Sequence, residues 1–502
     1  MTRNERTKQN QRMSFIARHP AMTADWRDVI WCTIGQMKPI DVFPDGVLLE
    51  IFDFYVNLYP SYGKTGTETW QLLVHVCRRW RNLVFGSPRR LNLRLLCTLQ
   101  TPAKDTLDIW PALPILIVGY RALSYNTDNV IAALEQNNRV CKVSLLNLAN
   151  WQWEKVLAAM QVPFPELTNL ELRSDVETPL VIPDSLLGGY ASSLQYFELD
   201  DIPFPGLTNL LSSANHLVFL CLSNIPHSGY ISPEAMIALL SALSNLRTLS
   251  LEFESPQSRP GWQSQRLRPP KRSILPALNK FHFRGVTEYL EELVTRIGTP
   301  RLDEMHINFF NQIDVDCPRL AQFINRTPAL MVLDEARVKF DNSTACVKLL
   351  YRASQSGIKY LEFAISCTEP DWQLSSIEQV CSSHMRPLST VEDLYIEYRY
   401  RQQVWNSDAI ENALWLELLL PFTAVKDLYL SKEFAPGIAA ALEDPVEGRI
   451  TEVLPSLRNI FVEGLQASGP FQKNIGQLVG ARQLSGHLTI SLWNRDSEST
   501  ML

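Results

Sequence analysis

A chain of 502 residues with 46% apolar and 20% charged side chains is built to bury a core, not to stay disordered. Its formal charge of −6 gives no global basic footprint for nucleic acid, and nine cysteines without a C-x-x-C pair read as reduced thiols. The longest apolar run, Trp110 to Tyr120, is well short of the about 20 residues a membrane-spanning helix needs, and the first residues lack the apolar core of a secretory signal. The expected location is therefore cytosol or nucleus, with no membrane and no nucleic-acid partner.

Residues 1–38 are polar and at first basic, and read as a flexible tail, with a short helix over Val29 to Ile34. In residues 39–94 the apolar positions Val47, Leu48, Ile51, Phe52 and Tyr55 follow a helical period. A Gly-containing loop, Asn57 to Thr69, separates them from a second helical set: Trp70, Leu73, Val74, Cys77, Trp80, Leu83 and Val84. So short a segment cannot bury all these groups alone, so part of the apolar face is expected to dock on something else. Ser87-Pro88 ends the helix, and Leu91, Leu93 and Leu95 then alternate as in a strand. Residues 95–139 read as a connection with the first irregular repeats: a polar link over Asp105 to Ala112, then a strand over Pro114 to Val118.

Over residues 140–486 one pattern recurs: apolar, two residues, apolar, one residue, apolar. Its first members are Val140, Leu167, Leu194, Leu217, Leu246, Leu278, Leu302, Leu330, Ile358, Val391, Val425 and Leu457. The copy at Leu330 is the weakest, because Glu335 stands where the last apolar residue belongs. An L-x-x-L-x-L core at this spacing is the signature of leucine-rich repeats. The asparagine or cysteine expected three residues past the last apolar is mostly absent, so the repeats are irregular. Helical patterns fall between the strands: Pro233 to Leu243 with Ser232 as N-cap, Glu288 to Ile297, Pro318 to Ile324, Thr344 to Tyr351, Ile377 to Cys381 and Ile410 to Leu420. Each unit is then strand, turn and helix, and stacking builds a continuous core with concave strands and convex helices. Ser255 to Ser273, rich in Pro and basic residues, reads as a surface loop or a basic lid at the concave rim. Residues 487–502 read as a C-terminal cap and tail.

Gly63-Lys64-Thr65 imitates the end of a phosphate loop but lacks its first glycine, and no other catalytic motif appears. No cofactor or metal is expected, and the chain is not read as an enzyme. The informative set is the residue between the last two apolar positions of each repeat, which points away from the core. In order these are Ser144, Glu171, Glu198, Cys221, Ser250, His282, His306, Asp334, Glu362, Tyr395, Tyr429 and Phe461. His282 and His306 should be neighbours. Tyr395, Tyr429 and Phe461 should form a stacked strip, open to a substrate or covered by Phe471 to Leu484.

The segment from Phe43-Pro44 through Val47-Leu48 and Ile51-Phe52 to Val76-Cys77-Arg78-Arg79-Trp80 resembles the F-box. It departs from the family pattern at Gly46, where an acidic residue is usual, and in its long inter-helix loop. The phrases PIDVFPDGVLLEIFDFYV, LVHVCRRWRNLVFGSPRRLNL, NTDNVIAAL and IPHSGYISPEAM resemble basidiomycete fungal F-box proteins over about Pro39 to Asp496. That resemblance implies an α/β chain: a short all-helical F-box, then an irregular leucine-rich-repeat solenoid. It further implies a substrate receptor of an SCF-type cullin-RING ubiquitin ligase. Phe43, Pro44, Leu48, Ile51, Phe52, Val76, Cys77 and Trp80 would face a Skp-type adaptor, and the repeats would hold a protein substrate at His282, His306, Tyr395, Tyr429 and Phe461. A second reading stays open: a repeat scaffold that binds proteins outside any ligase, its helices only capping the solenoid.

Overall fold

The computed structural model describes residues 43–58, 69–99, 103–120, 127–175, 180–257, 272–310, 317–331, 333–351, 359–382, 385–399, 412–443, 453–464 and 488–493. The tail with Val29–Ile34, most of the Asn57–Thr69 loop, most of the basic Ser255–Ser273 stretch and Phe471–Leu484 lie outside these residues. The chain divides into two compact units, Met1–Leu96 and Cys97–Leu502.

The first unit holds α1 (Asp45–Leu58), α2 (Thr69–Val74) and α3 (Arg78–Gly86). The Pro44 carbonyl accepts from the amides of Val47 and Leu48, which opens α1 with Asp45 in its first turn. Arg79 ties α3 to that turn, donating to Asp45 Oδ1 and to the Phe43 carbonyl, each at 2.6 Å. The Cys77 thiol caps α3 by accepting from the Trp80 amide. Leu91 and Leu93, expected in a strand, are instead buried in a turn and just after it, and the strand β1 starts at Leu95 (Leu95–Thr98).

In the second unit the polar link over Asp105–Ala112 is in part a helix, α4 (Ala103–Ile109), with Ala103 buried at its start. The strands that follow are β2 (Ile115–Tyr120), β3 (Val140–Leu146), β4 (Asn169–Arg173), β5 (Tyr196–Asp200), β6 (Phe219–Ile225), β7 (Thr248–Phe253), β8 (Ser273–Ile274), β9 (Lys280–Gly285), β10 (Ile297–Gly298), β11 (Glu304–Phe309), β12 (Glu335–Phe340), β13 (Thr344–Leu350), β14 (Tyr360–Ser366), β15 (Asp393–Tyr398), β16 (Asp427–Leu430), β17 (Asn459–Glu463) and β18 (Thr489–Trp493). All but the short pair β8 and β10 lie in one sheet. From β2 to β18 neighbouring strands are parallel, except that β13 runs against both of its neighbours. Along β9 and β11 burial alternates strictly, so the two apolar residues of each repeat face the core and the residue between them does not. This is a mixed α/β, leucine-rich-repeat-type solenoid sheet, as the period predicts.

Strand order breaks the repeat once. In space the sheet runs β11, β14, β13, β12, β15, so β12–β13–β14 forms an antiparallel meander inserted in reverse. Thr344–Tyr351, expected as a helix, is largely the strand β13. Its burial alternates every second residue, with Ala345, Val347 and Leu349 inside. The turn before it is closed by Asp341, whose Oδ1 accepts from the Ser343 amide at 2.9 Å. The incoming and outgoing crossovers are pinned together: the Arg386 amide donates to Asn325 Oδ1, and Thr390 Oγ1 to the Leu333 carbonyl.

Helices α5 (Thr127–Leu134), α6 (Asn150–Ala159), α7 (Leu207–Leu211), α8 (Pro233–Ala242), α9 (Thr287–Arg296), α10 (Pro318–Asn325), α11 (Pro370–Ser382), α12 (Asn412–Leu419) and α13 (Ala435–Glu443) connect the strands. Ser232 caps α8 by accepting from the Ala235 amide, with Pro233 at the first helical position. Where α8 meets α9, Arg296 donates to Glu292 at 2.7 Å and reaches Glu234 at 3.5 Å. The Tyr230 and Tyr289 hydroxyls lie buried without a hydrogen bond. Burial, then the hydrogen bond and charge of Glu234, push the Glu292 carboxyl up to about 7 against Arg296. A folded-state pKa above the unfolded one means extra protons bound in the fold. Stability from this group is thus full below the unfolded value and lost as pH rises through about 7. The urea midpoint should fall between pH 6 and 8, and Glu292→Gln should flatten that fall; an equal slope in the variant would assign it elsewhere.

Candidate binding surfaces

The first unit splits its apolar residues between two faces of α1. Leu48 and Phe52 are 1% and 0% exposed, and Phe52 meets Trp80 at a ring separation of 4.6 Å. Phe43, Val47, Ile51 and Phe54 run along the other face at helical spacing, all exposed, with Ile51 at 47%. Leu72 in α2 and Val76 in the turn after it are exposed as well. Of the eight residues expected to face an adaptor, Phe43, Pro44, Ile51 and Val76 thus have free surface. Leu48 and Phe52 have none, Trp80 is half-buried, and Cys77 is spent on the cap. Val47, Phe54 and Leu72, outside that set of eight, are exposed apolar residues as well. At Gly46 an added Cβ would meet nothing within 4 Å, so that position is open.

On the face of the second unit's sheet that carries the residues between the apolar pairs, the register places most of the expected ladder residues side by side. Ser144 donates to Glu171 at 2.7 Å, and Tyr196 donates to Glu198 on its own strand. His282 and His306 are register partners with rings 5.7 Å apart and nearly parallel. Burial, and then the neighbouring His306, lower the His282 pKa, so this imidazole is held neutral. Glu362 follows in register, with His306 Nδ1 at 3.8 Å and Lys348 Nζ at 3.1 Å from its carboxylate. Lys280 and Glu304 pair at 2.8 Å two residues before the histidines on the same two strands. Arg284, beside them, lies over the Phe310 ring at 5.5 Å with its Nε buried and unpaired. Among the described residues no group of three His, Cys, Asp or Glu side chains could hold a metal.

Asp334 is not in the ladder. It precedes β12, and Arg337 takes the concave position opposite Tyr395. The repeat was read three residues too early, because Leu330 and Leu333 imitate its first two apolar positions while the strand core is Ala336 and Val338. Arg337 donates to Glu335 at 2.5 Å, lies 3.8 Å from Glu397, and covers the Tyr395 ring at 4.6 Å. Lys339 reaches Glu397 at 3.5 Å.

Tyr395, Tyr429 and Phe461 do stack, at ring separations of 4.2 and 4.6 Å with planes within 8° and 10°. The strip is not fully open, however: Tyr395 is 0% exposed, and Tyr429 and Phe461 are half-buried. Trp493, on β18, covers it with an indole whose Nε1 is buried and unpaired, an arrangement that costs about 1–3 kcal/mol. A second aromatic pair, Tyr196 on Phe219 at 4.2 Å, stands two residues before the ladder residues Glu198 and Cys221.

Several thiols are held protonated. Burial pushes Cys97, Cys221 and Cys346 up to about 11 and raises Cys381 as well. Such thiols do not act as nucleophiles at neutral pH. No described helix is long and apolar enough to cross a membrane.

No family model matches the chain. No curated protein matches it either. Among solved structures, the leucine-rich repeat-containing protein LegL7 from Legionella pneumophila aligns over 77% of this chain and 98% of its own length, at 13% identity and a TM-score of 0.27.

Proposed function

We propose that the chain is a non-enzymatic protein-binding receptor: the solenoid holds a protein substrate on its concave face, and the helical unit docks on the Skp-type adaptor of a cullin-RING ubiquitin ligase. The observation that carries the reading is the exposed apolar stripe Phe43, Val47, Ile51 and Phe54, with Leu72 and Val76. Exposed apolar side chains in such an array mark a protein-interaction site. The segment's resemblance to the F-box gives the partner its class. Phe52 and Leu48 keep α1 in place beneath it, while Trp80 braces Phe52. The receptor does no chemistry; it raises the local concentration of substrate beside the ubiquitin-charged enzyme. It works in cytosol or nucleus and uses no cofactor.

The test is co-purification with the adaptor. Ile51→Asp and Val76→Asp place a charge at exposed positions, so the fold is kept while adaptor affinity falls at least about thirtyfold, as for hot-spot residues worth about 2 kcal/mol or more. Unchanged capture by either folded variant sinks the docking surface. A folded wild-type chain that captures no adaptor belongs instead to scaffolds acting outside any ligase.

A further inference from the structure

The aromatic strip already has an occupant. Trp493 closes β18, in register with Glu463 and so two positions beyond Phe461 on the same face of the sheet. Its indole lies 5.7 Å from the Tyr395 ring and 5.6 Å from the Tyr429 ring, inclined by 58° and 65°. These are edge-to-face separations, the arrangement that aromatic quadrupoles favour. Arg337 covers Tyr395 as well, at 4.6 Å.

Three features mark the indole as a guest. Its N–H is buried without an acceptor, so the seat lacks a partner that a better-placed ligand could supply. The strand that carries it adds little else to the core: Thr489 and Ser491 are exposed, and Leu492 is 63% exposed. Among the described strands, β18 is the last in the sheet and pairs with β17. A foreign strand pairing with β17 in its place would recover the same backbone hydrogen bonds.

We propose that Tyr395, Tyr429 and Arg337 form a binding site for one aromatic side chain of indole size, presented on an extended segment of a protein partner, and that Trp493 fills this site in the free chain. The inference rests on the reading of the concave face as a protein-binding surface. The tethered indole competes at high effective concentration, so a partner must match its aromatic contacts to displace it. The free receptor is thereby closed to weak ligands.

The probe is a fluorescein-labelled peptide of sequence Thr-Ile-Ser-Leu-Trp, copied from Thr489–Trp493. It is titrated against the full-length wild-type and Trp493→Ala chains by fluorescence anisotropy. The variant should bind saturably and at least tenfold more tightly than wild type. A peptide ending in Ala should not bind, and adding Tyr429→Ala to the variant should abolish binding. Equal binding to both chains, or none to the variant, overturns the proposal. Should circular dichroism show Trp493→Ala unfolded, Trp493→Leu is titrated instead, under the same criteria. Adaptor co-purification is measured on the same preparations. Loss of peptide binding with adaptor retained defeats this inference alone, and the reverse defeats only the ligase reading.

Discussion

Replacing Arg337 with Met is expected to destabilise the solenoid by about 3–5 kcal/mol at pH 7, the range for removing one partner of a buried ion pair. The guanidinium serves two carboxylates, Glu335 at 2.5 Å and Glu397 at 3.8 Å. These are only 5% and 2% exposed. Burial works to lower the Arg337 pKa, and the hydrogen bond and charge of Glu335 with the charge of Glu397 more than offset it, so its pKa is raised. Met would keep the contact with Tyr395 and much of the volume, so the loss isolates charge. Lys339, at 3.5 Å from Glu397, softens the loss at that carboxylate. The deficit is read from urea unfolding of the variant and the wild-type chain at pH 7. A deficit below about 1 kcal/mol at pH 7 would mean the two acids are neutralised by other groups.

This residue also shows where the sequence misled. The apolar template was laid on Leu330 and Leu333, which carry the right spacing but belong to the turn Pro328–Met331 and the approach to β12. A period-two reading of Arg337–Phe340 and Thr344–Leu350 around Asp341-Asn342-Ser343 would have found the hairpin, since alternation flanking an Asp/Asn/Ser cluster is its signal. The apolar spacing of Thr344–Tyr351 also fits a helical period, and a helix follows the strand in many of the other repeats. Reversal of strand order within the meander has no local signature at all. It depends on how two distant crossovers pack, here through Asn325–Arg386 and Thr390–Leu333.

The parallel sheet was legible because burial of two apolar residues per strand forces the L-x-x-L-x-L period. A turn residue follows three of the strands at an offset one shorter than the one expected from the sequence. Asn147, Asp201 and Asn224 all stand two residues past the last core apolar, each with positive φ. Asn and Asp tolerate that conformation better than other side chains, which is why they recur there. The candidate site was legible only along one column of the concave face. His282–His306 and the aromatic stack follow from register alone. Trp493 does not, because its approach to Tyr395 depends on how β18 is placed, not on repeat spacing. On α1 the pattern named both faces without separating them, since Ile51 and Phe52 are adjacent in sequence but opposite in burial.

That adjacency makes a decisive pair of substitutions. Phe52→Ala empties a fully buried site against Trp80 and should cost about 3–5 kcal/mol, the range for large aromatic truncation in a core. A helical unit this small has about that much stability to lose. Amides of Asp45–Leu58 and Arg78–Gly86 should therefore lose hydrogen-exchange protection in Phe52→Ala, and adaptor capture should vanish with it. Ile51→Asp, one residue away, should lose capture while those amides stay protected, because its side chain already faces water. The two variants share a binding phenotype and differ in its cause. If Phe52→Ala kept its protection, the mini-core would be repacked around Trp80. If Ile51→Asp lost protection, the stripe would serve the unit's own stability, and its role as a docking surface would have to be abandoned.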